Sequence, residues 1–143
     1  MRQIVTGTVC HLDATMLHNA LDGWKLEELD YLFVENVGNL VCPSSYDLGE
    51  TLRVVLMSVT EGEDKPLKYP SIVNSADVAV ITKTDLSDAV EFDWPAASSN
   101  LQAVRPGIEI LRVSAKTGSG MEAWLQFIAS RRRDVVEHLV WHS

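Results

Sequence analysis

The stretch that decides the fold class of this chain is VAVITKTD, at residues 78–85. A run of apolar residues leads directly into a lysine and an aspartate, without the apolar-polar alternation of a half-exposed strand. Such continuous runs are typical of strands that are buried on both faces of a parallel sheet. We therefore predict a buried strand over residues 78–82, followed by a loop at the edge of the sheet where open α/β folds bind ligands.

Similar apolar runs recur along the chain and alternate with segments of helical character. Predicted strands cover residues 3–9, 31–35, 54–59, 78–82 and 108–113. Predicted helices begin after Asp13, near Pro66, at Pro95 (to about Val104) and after Gly120. This alternation predicts an α/β fold with a mostly parallel sheet flanked by helices, in one domain over residues 1–143.

Composition and charge exclude several classes of protein. The 143 residues are 46% hydrophobic and 22% charged, which is enough apolar surface to form a core. Twelve basic against 20 acidic side chains give a net charge of −8, which argues against a nucleic-acid partner. No apolar stretch approaches the roughly 20 residues of a membrane span, and no signal peptide is evident at the N-terminus. We expect a cytoplasmic protein without a membrane partner.

Two loops at the carboxyl ends of predicted strands carry a guanine-binding pattern. TKTD, at residues 82–85, resembles the N-K-x-D signature of GTPases, in which the aspartate accepts two guanine N–H groups and the lysine stem lies along the ring. SAK, at residues 114–116, resembles the loop whose backbone N–H meets the guanine carbonyl oxygen. The predicted guanine-binding residues are Lys83, Asp85, Ser114, Ala115 and Lys116.

The predicted strand 31–35 ends in Glu35, and Gly38 follows three positions later. Nucleotide-hydrolysing proteins use an acidic residue and a glycine in this arrangement to place a carboxylate near Mg²⁺ and an amide near the γ-phosphate. The same pattern also fits a strand that simply ends in a glycine turn. Glu35 and Gly38 are therefore candidate catalytic residues, with that alternative open.

Cys10, His11 and Cys42 would lie at one edge of the sheet if the strands before them are parallel. Two thiolates and an imidazole suit Zn²⁺ or Ni²⁺, whereas Mg²⁺ or Ca²⁺ would require oxygen ligands. Three ligands leave a tetrahedral site incomplete, so water, a client protein or a second subunit would supply the fourth. The alternative is a buried cysteine beside an incidental histidine.

Five blocks of the sequence together resemble the HypB family, the GTPases that help to insert nickel into [NiFe]-hydrogenase. They are IVTGTVCHLDA at residues 4–14, ENVGNLVCP at 35–43, TEGEDKPLKYP at 60–70, PGIEI at 106–110 and SAKTG at 114–118. The resemblance implies a P-loop NTPase fold that binds GTP or GDP with Mg²⁺. It also implies GTP-dependent homodimerisation, with nickel or zinc bound at the interface by Cys10, His11 and Cys42. The implied partners are hydrogenase accessory proteins and the hydrogenase large subunit.

Two departures from the family pattern limit what the resemblance implies. No glycine in the chain is followed by lysine, so the phosphate-binding sequence G-x-x-x-x-G-K-[ST] does not occur. We therefore expect a partial GTPase domain that lacks the P-loop strand and helix, with weak or no hydrolysis. Thr82 replaces the signature asparagine, and the lost hydrogen bonding should weaken guanine binding by about 1–3 kcal/mol.

These observations lead to one prediction of function with two alternatives. The chain is predicted to be a GTP-binding, nickel-binding accessory protein for hydrogenase maturation. The first alternative is a Ni- or Zn-binding dimerisation module that works without nucleotide. The second is a poorly folded remnant of a GTPase.

Overall fold

The computed structural model describes residues 3–5, 12–36 and 47–141 of the chain. The chain divides into two compact units, Met1–Thr51 and Leu52–Ser143, which are described separately below. Among the described residues, no helix is both long and apolar enough to cross a membrane.

The described part of the first unit contains one α-helix, α1 (Ala14–Leu21). The helix begins where predicted, because the Asp13 side chain accepts a hydrogen bond from the Met16 N–H at 2.8 Å and so caps the first turn. A single 3-10 turn, Leu26–Glu28, follows it. The predicted helix after Asp13 is confirmed.

The predicted strand over residues 31–35 is wrong, because residues 31–36 run without strand pairing. The Tyr31 and Phe33 rings stack on each other with centroids 6.2 Å apart, and Phe33 is 70% exposed. A strand needs a neighbouring edge to complete its backbone hydrogen bonds, and the described part of this unit provides none. The predicted strand 3–9 is not found at residues 3–5, and its remainder lies outside the described residues.

The second unit is built on a parallel three-stranded sheet in the order β1-β2-β3. The strands are β1 (Val54–Ser58), β2 (Val78–Thr82) and β3 (Glu109–Arg112). Val78 of the central strand is in register with Val54 on one side and Glu109 on the other. All three predicted strands in this unit are confirmed, with ends that differ by at most one residue.

Four helices complete the second unit: α2 (Lys65–Lys68), α3 (Pro70–Ser75), α4 (Trp94–Val104) and α5 (Met121–Trp141). Proline stands in the first turn of α2, α3 and α4, where its missing N–H costs no helical hydrogen bond. The single short helix predicted near Pro66 is two helices, because Pro70 starts a new helix. The arginine triplet at 131–133 interrupts the apolar pattern of α5 but not the helix itself.

Helices cover both faces of the sheet. On one face, Met57 and Ile81 pack with Val73 of α3 and Leu101 of α4. On the other face, a smaller cluster joins the sheet to α5 through Val78, Val80, Val113, Met121, Trp124 and Phe127. Full burial of a side chain such as Leu101 contributes roughly 1.5–3 kcal/mol. The predicted α/β fold, with a parallel sheet flanked by helices, is confirmed.

Candidate nucleotide-binding site

The carboxyl ends of β2 and β3 carry the two loops in which the guanine-binding residues were predicted. Lys83 directly follows β2 and has a left-handed backbone, with φ 58° and ψ 38°. A non-glycine residue in this conformation costs about 1–3 kcal/mol and persists only where its surroundings enforce it, often at ligand sites. Asp85 follows two residues later, in the 3-10 turn Thr84–Leu86.

A hydrogen bond joins the two loops through their predicted functional residues. The Ser114 hydroxyl donates to Oδ1 of Asp85 at 2.7 Å, and the Thr84 N–H donates to the Val113 carbonyl at 3.3 Å. Ser114 is 1% exposed, whereas Asp85 lies at the surface. The buried serine therefore fixes the orientation of an accessible carboxylate.

The same hydrogen bond favours the charged form of that carboxylate. Donation by Ser114 lowers the pKa of Asp85 below its ordinary value, and the nearby positive charge of Lys116 acts in the same direction. Partial desolvation opposes these effects without cancelling them. An ionised carboxylate only accepts hydrogen bonds, as recognition of the N–H pair of guanine requires.

The loop after β3 is organised around Ser114. Its N–H donates to the Ser119 carbonyl at 2.8 Å, its carbonyl accepts from the Gly118 N–H at 2.8 Å, and its hydroxyl accepts from the Thr117 N–H at 3.2 Å. These bonds close a tight turn. Ala115 and Lys116 stand exposed on this turn, which lies at the same edge of the sheet as the loop that carries Asp85.

Gly120 is required where this loop enters α5. Its φ is +72°, and an added Cβ would lie 1.8 Å from the carbonyl oxygen of Arg112. No other residue fits here without moving the backbone. In the sequence Gly120 is visible only as a helix start, because its close approach to Arg112 exists only in the folded chain.

A third loop, which is part of the family-like block at residues 60–70, follows β1 at the same edge of the sheet. Ser58 caps the 3-10 turn Val59–Glu61, and the Glu61 carboxylate accepts the Ser58 N–H at 2.8 Å and pairs with Lys65. Burial would raise the pKa of Glu61, but the bonds from Lys65 and Ser58 and the charge of Lys83 lower it. The serine and glutamate spacing of a capping box was the available sequence signal.

Thr82, which replaces the signature asparagine, has a structural role. Its hydroxyl donates to the Met57 carbonyl at 3.3 Å and so links β2 to β1. A threonine hydroxyl supplies one donor, whereas a carboxamide supplies two donors and an acceptor. The weaker guanine binding that this replacement predicts stays a prediction.

The remaining predicted site residues are not brought together by the described structure. Glu35 is exposed in the first unit. Gly38 and the predicted metal ligands Cys10, His11 and Cys42 lie outside the described residues. In the part of the chain that is described, no group of three His, Cys, Asp or Glu side chains could hold a metal ion.

Comparison with known proteins gives consistent matches. The family model "CobW/HypB/UreG, nucleotide-binding domain" matches residues 1–112. Hydrogenase maturation factor HypB of Azotobacter vinelandii is 51% identical over 132 residues, which are 91% of this chain and 43% of that protein. Hydrogenase/urease maturation factor HypB of Helicobacter pylori is 41% identical over 136 residues, covering 92% of this chain and 56% of that protein.

Two solved structures have the same fold. The crystal structure of HypB from Helicobacter pylori in complex with nickel has a TM-score of 0.89 at 41% identity, over 93% of this chain and 64% of that one. HypB from Archaeoglobus fulgidus has a TM-score of 0.83 at 43% identity, over 90% and 63%. The chain thus spans about half the length of the curated relatives and under two thirds of the solved chains. The predicted resemblance to HypB is confirmed, and the chain belongs to the CobW/HypB/UreG family of nucleotide-binding domains.

Proposed function

We propose that this chain is a guanine-nucleotide-binding, nickel-handling accessory protein for the maturation of [NiFe]-hydrogenase, with weak or no GTP hydrolysis of its own. The observation that carries this proposal is the 2.7 Å hydrogen bond from Ser114 to Asp85. It joins the loops that follow β2 and β3 and holds a carboxylate with a lowered pKa at the surface. This arrangement supports GTP or GDP as the nucleotide.

Guanine recognition would use groups that are already positioned. Asp85 would accept the two N–H groups on one edge of the base, a pair that adenine does not present to a carboxylate. The stem of Lys83 would lie along the ring, and the backbone N–H of Ala115 would meet the guanine carbonyl oxygen. Ser114 would hold Asp85 in place, and Lys116 would add positive charge beside it.

The proposed site has fewer groups to bind the phosphates than to bind the base. Phosphoryl transfer depends on groups that hold the phosphates and Mg²⁺ in position, and the 143 residues contain no glycine-lysine pair to form a P-loop. Glu35 and Gly38 would face Mg²⁺ and the γ-phosphate. We expect these residues alone to give a GTP turnover rate far below that of a HypB with a P-loop.

Nickel would be the cargo, held by Cys10, His11 and Cys42. The donor set fits, because two thiolates and an imidazole favour Ni²⁺ or Zn²⁺ over oxygen-seeking cations. A crystal structure of the Helicobacter pylori relative is a complex with nickel. The proposed partners are a second copy of the chain, hydrogenase accessory proteins and the hydrogenase large subunit, in the cytoplasm.

The decisive experiment tests whether a substitution at Asp85 changes which base the chain binds. Asn at position 85 offers one acceptor and one donor, which matches the N–H and carbonyl of xanthine but not the N–H pair of guanine. We therefore expect Asp85→Asn to lose binding of a fluorescent GDP analogue by at least about tenfold and to gain binding of the xanthosine diphosphate analogue. Asp88→Asn, an exposed aspartate three residues away, is the matched control and should leave GDP binding unchanged.

The outcomes separate the two candidate functions. Exchange of base preference in Asp85→Asn, with ADP failing to compete in the unsubstituted chain, supports a guanine site. If no nucleotide binds the unsubstituted chain, the proposal of a guanine site is wrong. The remaining candidate function would be a Ni- or Zn-binding dimerisation module. Its metal affinity should fall in Cys42→Ala and should not change when nucleotide is added.

A further inference from the structure

The loop that follows β1 lies beside Lys83, the lysine whose stem would lie along the guanine ring. Ser58, the last residue of β1, is in register with Thr82, the last residue of β2. The 3-10 turns Val59–Glu61 and Thr84–Leu86, which follow these two strands, are neighbours in the fold. The turn that ends in Glu61 therefore lies next to the turn that begins after Lys83.

The Glu61 side chain has a fixed position in this loop. One of its carboxylate oxygens accepts the Ser58 N–H at 2.8 Å, and the other pairs with the ammonium group of Lys65. The side chain of Lys65 is 14% exposed and that of Glu61 is 41% exposed, so the pair is partly sheltered from solvent. Partly buried charges are screened less than fully exposed ones, so the Glu61 carboxylate can act on other charged groups nearby.

Glu63 anchors the same loop to α4. The Asp93 N–H donates to Oε1 of Glu63 at 2.7 Å, and the Asn100 side chain donates to the Glu63 carbonyl at 2.9 Å. Asp93 is the residue that caps α4, and Asn100 lies within that helix. Contacts with a helix therefore hold the loop in place, and the position of Glu61 does not depend on a bound ligand.

Lys83, in contrast, has a fixed backbone but a side chain without a partner. Among the described residues, no carboxylate lies within 4.0 Å of its ammonium group. Burial raises the pKa of Glu61, its bonds to Lys65 and Ser58 lower it, and the positive charge of Lys83 lowers it further. The charges of Glu61 and Lys83 thus attract each other across the two neighbouring turns.

We propose that Glu61 is a positioning residue of the guanine site, whose carboxylate attracts the ammonium group of Lys83 and so holds the lysine stem across the face of the base. This inference rests on the proposed function, since it assigns Glu61 a role in guanine binding. A lysine side chain has many rotamers, and restricting them before the nucleotide binds reduces the entropy lost on binding. Glu61 would act through Lys83 and would not contact the base itself.

A double-mutant cycle tests this role. Glu61→Gln removes the charge but keeps an oxygen for the Ser58 N–H, and Lys83→Met removes the charge but keeps the apolar stem. Binding of a fluorescent GDP analogue with Mg²⁺ is measured for each variant and for the double variant. Glu61→Gln should weaken binding by about threefold to tenfold when Lys83 is present and should have no further effect in Lys83→Met. A purely structural role of Glu61 would lower the affinity equally in both backgrounds.

Asp64→Asn is the matched control. It removes the same charge from the same loop and breaks the ion pair of Asp64 with Lys68, whose atoms are 2.8 Å apart. It therefore measures the general effect of one negative charge on the binding of an anionic nucleotide, and it should not weaken GDP binding. Thermal unfolding of each variant verifies that it is folded.

A second measurement needs no nucleotide. The carboxyl ¹³C chemical shift of Glu61, followed by NMR as the pH is lowered, reports its titration. In Lys83→Met the pKa of Glu61 should rise, because one of the positive charges that lower it is lost. An unchanged titration would overturn the inference, since it would show that the two charges do not interact.

The binding data also separate this inference from the proposed function. If GDP binds but the effects of Glu61→Gln and Lys83→Met are additive, or if Asp64→Asn weakens binding as much as Glu61→Gln does, the inference is wrong and the guanine site stands. If GDP does not bind the unsubstituted chain, the proposed function is wrong and the role of Glu61 in guanine binding is wrong with it.

Discussion

At the scale of single residues, one hydrogen bond joins the buried side chain of Ser114 to the charged side chain of Asp85. Ser114 is buried within the turn that surrounds it, and its hydroxyl donates a hydrogen bond to the carboxylate of Asp85 at the surface. Ser114 can influence the site through Asp85 without contacting a nucleotide itself. Its hydrogen bond orients the Asp85 carboxylate and lowers the pKa of that group.

Ser114→Ala should therefore change the titration of Asp85. Loss of the donated hydrogen bond removes the main cause that lowers the pKa of Asp85, so that pKa should rise toward the ordinary value of 3.8. Because the native pKa is lowered, the carboxylate stabilises the folded chain above the unfolded-state pKa, and this stabilisation is lost as the pH falls through the native value. In Ser114→Ala this stabilisation should be lost over a narrower range of pH, because the native pKa of Asp85 lies closer to the unfolded-state pKa.

The carboxyl ¹³C chemical shift of Asp85, followed by NMR between about pH 2 and pH 6, measures this titration directly. Ser119→Ala changes a serine in the same loop whose backbone carbonyl, not its side chain, bonds Ser114, and it should leave the titration unchanged. Equal Asp85 pKa values in the unsubstituted chain and Ser114→Ala would contradict the assignment.

At the scale of elements, the site depends on how β3 turns into α5. Gly120 lies against the carbonyl of Arg112 in a conformation that other residues rarely adopt. The turn that presents Ala115 and Lys116 is therefore closed by a backbone contact between a strand and the start of a helix.

Gly120→Ala should destabilise the chain by about 3 kcal/mol or more, because it adds a steric clash to the cost of a left-handed alanine. Gly107→Ala is the matched control, since Gly107 has a similar φ of +82° and nothing within 4 Å of an added Cβ. That variant should lose only about 1–2 kcal/mol. Urea unfolding measures both losses, and equal values would show that the clash is relieved at no cost.

At the scale of the whole molecule, burial is distributed unevenly between the two units. The central strand β2 has four buried residues in succession, whereas Leu12 is the one buried hydrophobic residue in the described part of the first unit. Five large apolar side chains at 29 and 31–34 are exposed. Stability should therefore be concentrated in residues 52–141.

Hydrogen exchange followed by mass spectrometry tests this distribution. Peptides that cover Val78–Thr82 should exchange only on global unfolding, since their amides lie in a covered central strand. Peptides that cover residues 31–36 should exchange at least about a hundredfold faster, because no strand ladder protects them. Equal protection of the two segments would show that residues 31–36 belong to a paired strand in solution.

The sequence by itself determined the elements whose causes are local. Continuous apolar runs marked β1, β2 and β3, and Asp13 and Pro95 marked the starts of α1 and α4. The two motifs that resemble guanine-binding loops could be located because they directly follow predicted strands. These signals succeed because periodicity and capping act over a few residues and need no distant partner.

Only the tertiary structure decided the features that depend on contact with another part of the chain. Residues 31–35 have the apolar composition of a strand, but strand formation requires a neighbouring edge, and no sequence motif reports whether one is present. The bond from Ser114 to Asp85, the contact of Gly120 with Arg112 and the bond from Asp93 to Glu63 all join residues that are distant along the chain or in different elements. Their geometry is set by the packing of the sheet between its helices, which local sequence does not encode.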